Sequence, residues 1–457
     1  MKISIATHFR HVAQREGHKR APGERWAGGN GLVVLLCVVL AAMAQQPGWG
    51  QVPVGDTAPG LHSVTLHPVG VPMGLAFIPL QGGQLELRFD DLDATFENYR
   101  LRVQHCTFDW FPSPDMVPSD YLRGFRELAI DDVEASFNTR QGYNHHRIVF
   151  PNPSFEITRS GNYLVEVFKA RKPEEVVLSR RFVVYESLCP VTVQVGPATS
   201  VGLRRSHVEV DHTVGIVDYP MPEAGSGGLQ TVILQNGRWD NAISALKPVF
   251  VKDSEVIYNH SEVNRFPGGV PYRFIDLKGL RFAAQGVAAI DDNGEHWRFI
   301  MEPLEPRVYQ PFRDVPDVNG RFQIRNDRQE DHTGGDYVMV HFELPMDPPL
   351  YGEDIYLFGD LSVGQFPPTH RFQYNAITHR YELELLLKQG YYNYVLLTRP
   401  EEARGRNDVP SLLAHPGSWD TLEGTSALNE NQYTVIAYYW DRAGYDRVVG
   451  IEHARYP

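Results

Sequence analysis

The chain has 457 residues, more than one all-β core organises, and its 42% hydrophobic and 22% charged content excludes a disordered polymer. The formal charge of −13 argues against nucleic acid or an anionic lipid surface as a partner. Of its three cysteines only Cys106 and Cys189 lie beyond the first 44 residues, too few for a cysteine-built zinc or iron–sulfur centre.

The first 44 residues read as a secretory signal. Lys2, Arg10, Arg15, Lys19, Arg20 and Arg25 form a basic opening, Leu32 to Leu40 an apolar run, and Ala42-Met43-Ala44 a small-residue cleavage site before Gln45. The apolar run falls short of the roughly 20 residues a spanning helix needs. Leu36 stands where a lipidated Cys37 would require a small residue. Loss of this leader removes six basic and two acidic residues and takes the formal charge from −13 to −17. Residues 45–59 are rich in Gly, Pro and Gln and read as a flexible leader.

From residue 60 the dominant period is two, the mark of half-buried strands. Leu85, Leu87 and Phe89 alternate with Gln84, Glu86 and Arg88, and Tyr99, Leu101 and Val103 alternate with Arg100, Arg102 and Gln104. A short helix is predicted within Pro118–Ile130. Tyr163, Val165 and Val167 follow a turn at Gly161-Asn162, and Arg181–Val184 closes a first β unit, 60–187. Pro190 opens a middle β unit, 188–335, with turns at Gly227-Gly228, Asn236-Gly237 and Pro267–Gly269. Gly334-Gly335 precedes a third unit, 336–457, with strands at Val338–Leu344, Tyr381–Leu387 and Thr434–Trp440. The expected fold class is all-β, as tandem β-sandwiches.

Chemical motifs are sparse. Asp90, Asp91 and Asp93 crowd a strand end but lack the glycine and closing glutamate of a calcium loop, so a solvated strand end is expected. His105 and Cys106 are adjacent on a strand and point to opposite faces, which does not suit a nucleophile and its base. Adjacent His145 and His146 are poorly spaced for chelation, and Trp110-Phe111-Pro112 reads as a packed corner. HExxH, GxSxG, Walker A and GxGxxG are absent, so no catalytic, cofactor-binding or metal residue is assigned and no cofactor is expected. Cys106 and Cys189 are 83 residues apart, and export permits but does not require their disulfide.

An ordered series of motifs then carries a resemblance. Phe89-Asp90-Asp91-Leu92-Asp93, Tyr99, His105-Cys106 and Asp109-Trp110 are followed by Tyr121-Leu122 and Gly124-Phe125. Next come Ile130-Asp131-Asp132, Ser136–Thr139, Tyr143, His145 and Phe150-Pro151-Asn152. Ser160-Gly161-Asn162-Tyr163 and Arg180-Arg181-Phe182 complete the first unit. The stretches Tyr351 to Leu361, Tyr381 to Tyr394 and Glu430 to Tyr439 fit the same series. This pattern resembles the plug proteins of the Bacteroidota type IX secretion system, over nearly the whole exported chain. The resemblance implies a non-enzymatic periplasmic protein, held at the outer membrane through an SprA-type translocon barrel, whose periplasmic opening it closes when no cargo is present. It implies no nucleic acid, no membrane insertion and no small-molecule substrate, and it names no interface residues.

Two other readings compete. Ile355–Leu361 is similar to the start of an early-set, glycogen-binding-module-like sandwich, which points to a carbohydrate-binding protein of the periplasm or cell surface. The tryptophan usual after that motif is missing, and Phe366 is the ring nearest its place. Tyr391, Tyr392, Tyr394, Tyr438, Tyr439 and Trp440 could make a sugar platform, but alternate aromatics are more often core. A glycosidase or peptidase with an unmarked carboxylate pair is the third reading.

Overall fold

The computed structural model describes residues 57–457 apart from 94–96, 223, 293, 328–331, 405–414 and 441–443. The expected signal peptide and residues 45–56 lie outside the described residues. The described part belongs to one unit, Gly50–Pro457, and is all-β.

The first sandwich follows from the period-two pattern. Its outer sheet runs Leu61–Pro68, Leu85–Asp91, Asn144–Phe150, Asp132–Ala135. Its inner sheet runs Phe77–Pro79, Lys172–Tyr185, Gly161–Lys169, Tyr99–Cys106, Glu127–Ala129. Leu85, Leu87 and Phe89 of one sheet meet Leu101, Val165, Val167 and Phe182 of the other in a dry core. The turn expected at Gly161-Asn162 is instead the start of the strand Gly161–Lys169, and its first position is confined to glycine: φ is +151°, and a Cβ would sit 2.3 Å from His105 Nε2. Only Pro118–Tyr121 of the predicted helix is helical, and Leu122–Gly124 and Glu127–Ala129 pair as strands. The last residues of the leader predicted over 45–59 are tied down: Thr57 bridges Leu178, and Ala58 N–H donates to Val177 C=O at 2.8 Å.

The inner sheet is covered a second time. Leu229–Gln235, Asn431–Trp440 and Asp446–Tyr456 form a three-stranded sheet. Its Val232, Leu234, Ile436, Tyr438 and Val448 pack on Cys106, Trp110, Leu164 and Val183. Its other face, with Ile233, Val435, Ala437 and Val449, packs on Val208, Val210, Val214 and Tyr258 of a further sheet built on Val191–Pro197 and His207–Gly215. Asn431–Trp440 is therefore buried on both faces rather than alternating, with only terminal Trp440 exposed.

A last sandwich places Val287–Asp292, Trp297–Met301, Tyr337–Pro345, Arg380–Lys388 and Gln373–Asn375 against a sheet centred on Gly390–Pro400. The sheets do not follow the boundary expected at 335/336. Leu229–Gln235 pairs with Asn431–Trp440, Arg273–Asp276 and Phe322–Ile324 pair with Gly390–Pro400, and Trp297–Met301 pairs in parallel with Tyr337–Pro345. Gly334-Gly335 lies in a connection within this interleaved region. Local turn chemistry marks where a strand stops, not which distant strand it joins.

Cys106 and Cys189 are both free and buried. Burial pushes their thiols up, to about 12 and about 11. Among the described residues no helix is long and apolar enough to cross a membrane.

Three core histidines set a pH dependence. His105, His146 and His212 are nearly inaccessible, and burial pulls each down to about 4. Each stays neutral when folded and takes up a proton on unfolding below about pH 6.5, so stability falls as pH drops from about 6.5 towards 4. Each histidine contributes at most about 1.4 kcal/mol per pH unit in that window. Urea unfolding at pH 7, 5.5 and 4.5 should show this decline, and a flat profile would contradict it.

Candidate functional site: the buried Asp90 junction

The strand Leu85–Asp91 turns alternate residues in opposite directions. Phe89 enters the first sandwich, and Asp90 points away from it towards the last one. There Tyr337 and Lys388 approach from the strands Tyr337–Pro345 and Arg380–Lys388. Asp90 Oδ2 accepts from Lys388 Nζ at 2.6 Å and from Tyr337 O–H at 2.7 Å, while Oδ1 lies 2.6 Å from His145 Nδ1. The expectation of a solvated strand end is therefore wrong for Asp90 and Asp91, both of which are buried. The pattern reveals a strand end but not that another sandwich caps it. Asp91 turns inward instead and accepts from Tyr99 O–H at 2.9 Å.

The junction is braced from several sides, with His145 Nε2 left buried without a hydrogen-bond partner among the described residues. The Lys388 ammonium also donates to His332 C=O and sits 4.1 Å from the centroid of the Tyr143 ring. Tyr143 O–H is shared between His332 C=O and Gly335 C=O, at 3.1 and 2.9 Å. His145 stacks on His332 with ring centroids 5.3 Å apart. Ser63 Oγ meets Tyr337 Oη at 2.8 Å. Burial opposes the charge on Asp90, but the His145 contact and the Lys388 ammonium outweigh it and hold the carboxyl below its usual range. Burial, reinforced by the Asp90 charge, raises the Tyr337 phenol well above its usual range.

This arrangement resembles an acid–base dyad but works as a tie. Both Asp90 oxygens are already engaged, and the nearby Ser63 hydroxyl is bonded to a phenol rather than to a base. What the cluster does is join residues 247 and 298 positions apart in the chain. A second tie lies nearby: Arg140 clamps Asp292 at 2.6 and 2.7 Å, and its backbone N–H donates to Asp336 at 2.6 Å.

The other sequence candidates scatter. His105 faces Tyr121 and Tyr163 in the first sandwich and lies 2.7 Å from Ser113 Oγ, while Cys106 belongs to the opposite layer. His146 stacks on Phe89 at 4.8 Å. Trp110 is buried as a corner, with exposed Phe111 beside it. Tyr392, Tyr394, Tyr438 and Tyr439 are core, and Trp440 alone of the six aromatics weighed as a platform is exposed. Phe366 stacks on Phe358 at 4.9 Å, and the Arg399 guanidinium lies 4.4 Å from its centroid, so its face is not open to a sugar. Lys388 and Tyr337 went unassigned in the sequence, because only the fold brings them to Asp90. Among the described residues no group of three or more His, Cys, Asp or Glu side chains is gathered to hold a metal.

Removing one partner strands the other charge in a dry site. Lys388→Met should therefore destabilise the protein by roughly 3–5 kcal/mol. Adding Asp90→Asn should recover most of that loss, because no uncompensated charge remains. Urea denaturation of the two single variants and the double variant measures the coupling. Additive losses would show that the pair does not act as a unit.

Residues 61–186 match the family model described as Type 9 secretion system plug protein 1st domain. A solved structure of a hypothetical protein from Parabacteroides merdae is similar at 28% identity and a TM-score of 0.82, covering 89% of this chain and 100% of that one. A search of curated proteins returned no match. The residues matched, 61–186, are those of the first sandwich, which is therefore similar to the first domain of type IX secretion system plug proteins.

Proposed function

We propose that this protein is a periplasmic plug, which binds the periplasmic opening of the SprA-type type IX translocon and closes it while no cargo occupies the pore. The observation that carries the reading is the plug-domain match over residues 61–186. Two physical features support it. The sandwiches are joined by buried ionic ties and a shared central sheet, so the chain can meet a partner with little conformational cost. In the Asp90 cluster both carboxylate oxygens are already engaged by His145, Tyr337 and Lys388, which favours an interaction role over chemistry. An interface of roughly 1,600 Å² would suffice for a specific seal that cargo or a carrier can still displace.

The test is outer-membrane leakage. Three strains are compared for sensitivity to a large antibiotic that the outer membrane normally excludes: wild type, one lacking this gene, and one lacking this gene and the translocon. Only the single deletion should be sensitised, and the tagged translocon should bring this chain down from native membranes. Unchanged permeability in the single deletion, or leakage that persists without the translocon, would overturn the plug role.

A further inference from the structure

We propose that an arginine-lined cavity, separate from the Asp90 junction, is a binding site for a small oxyanion bearing carboxylate or phosphate oxygens. The cavity encloses about 240 Å³. Arg180 and Arg181 reach it from the strand Lys172–Tyr185, Arg238 from the Asn236-Gly237 turn, and Arg321 and Arg399 from the last sandwich. Five arginines from three parts of the fold thus line one cavity in a chain whose formal charge is −13. Composition does not explain such a cluster.

The carboxylates lining the cavity, Asp240 and Asp360, do not balance it. Asp240 is taken up by Arg238, at 3.0 Å from Nε and 2.7 Å from Nη2. Asp360 stands 3.9 Å from Arg321. Arg181 has no carboxylate partner among the described residues, and its Nε has no hydrogen-bond partner among them. Its guanidinium lies 4.8 Å from the Trp110 ring centroid and 5.9 Å from that of Trp239. Ring faces offer a cation less than a carboxylate does, and burial pulls this guanidinium down to about 10.

The walls are built for precision. Asn236 and Gly237 both adopt positive φ, +54° and +75°, which turns Arg238 and Trp239 into the cavity. A Cβ on Gly237 would sit 2.1 Å from Leu75 Cδ2, so the turn packs directly on the opposite wall. Planar guanidinium forks held by aromatic neighbours are preorganised for bidentate contact with an oxyanion, which a flexible lysine patch is not. The other four have partners within the fold, Arg180 at Thr57 and the Ser179 carbonyl, Arg238 at Asp240, Arg321 at the Met73 carbonyl and Arg399 over the Phe366 ring, so Arg181 is the group an entering anion would meet.

The experiment is calorimetric titration and thermal unfolding of the exported chain, with sodium phosphate and sodium citrate as probes. Sodium chloride at matched ionic strength is the reference. At least one of the two anions should bind saturably and raise Tm, and the two arms separate phosphate from carboxylate recognition. Arg181→Met should weaken that binding at least tenfold, while Arg123→Met, which changes an exposed arginine paired with Glu156, should leave it unchanged. If Arg181→Met does not fold, Arg321→Met makes the same comparison on the facing wall. Absence of saturable binding by both anions, or wild-type affinity in the cavity variant, would overturn the proposal. The leakage phenotype is read independently of either result.

Discussion

The strand Asn431–Trp440 is the element on which the rest of the structure depends. A β-strand has two faces, and here both are spent on cores: Ile436 and Tyr438 against the first sandwich, Val435 and Ala437 against the sheet of Val208 and Val210. Its edges are also taken, by Leu229–Gln235 on one side and Asp446–Tyr456 on the other. The residues that complete the fold thus come from near the end of the chain, some 250 positions after the first sandwich closes. Tyr438 O–H donates to Asn162 Oδ1 at 2.8 Å, at the start of the strand Gly161–Lys169, and Asp446 accepts from the Phe108 backbone N–H at 2.8 Å. The first sandwich is capped by the last residues, and long-range pairing of this kind is slow to form.

Much of the local structure was legible in the sequence. The alternation of Leu85, Leu87 and Phe89, and of Val338, Val340, Phe342 and Leu344, placed residues that the structure buries completely. The opposite facing of His105 and Cys106 followed from strand geometry alone and holds. What failed was everything that depends on a second covering layer. Asp90 and Asp91 read as solvated because three acids at a strand end normally are, and nothing local announces Lys388 or Tyr337. The interleaving of residues 188–335 with 336–457 was hidden for the same reason, since periodicity specifies a strand and its faces but not its partner. Asn431–Trp440 read as alternating because its second buried face is also apolar, and a run of Tyr, Val, Ile and Ala carries both patterns.

The interfaces between layers differ in kind. The inner sheet of the first sandwich meets the central sheet through apolar side chains, a contact that stabilises by area. The first and last sandwiches meet at Asp90 through charges taken out of water. A buried ion pair gives little net stability compared with an apolar contact of the same volume, and it penalises misalignment heavily. Tyr337, Lys388 and His145 satisfy Asp90 only in one relative placement of the two sandwiches. Apolar packing holds the layers, and the ionic ties fix how they are set.

The Asp90 junction and the arginine cavity lie side by side, sharing Thr65, His67, Pro72 and Phe322 among their walls. Their chemistry is opposite. At the junction the protein places Lys388 on Asp90 and adds two further contacts to that carboxylate, so the charge is neutralised within the fold. In the cavity, a few residues away, the lining holds five arginines and two carboxylates, and among the described residues Arg181 has ring faces rather than an anion beside it. A fold that can pair buried charge so completely at one site had the means to pair it at the next. A guanidinium such as that of Arg181, held out of bulk water with no carboxylate partner among the described residues, raises the energy of the folded chain, and a bound oxyanion relieves that cost. The excess positive charge is therefore better explained by an external ligand than by structural need, and its position where three parts of the fold meet would let that ligand bias how firmly they hold together.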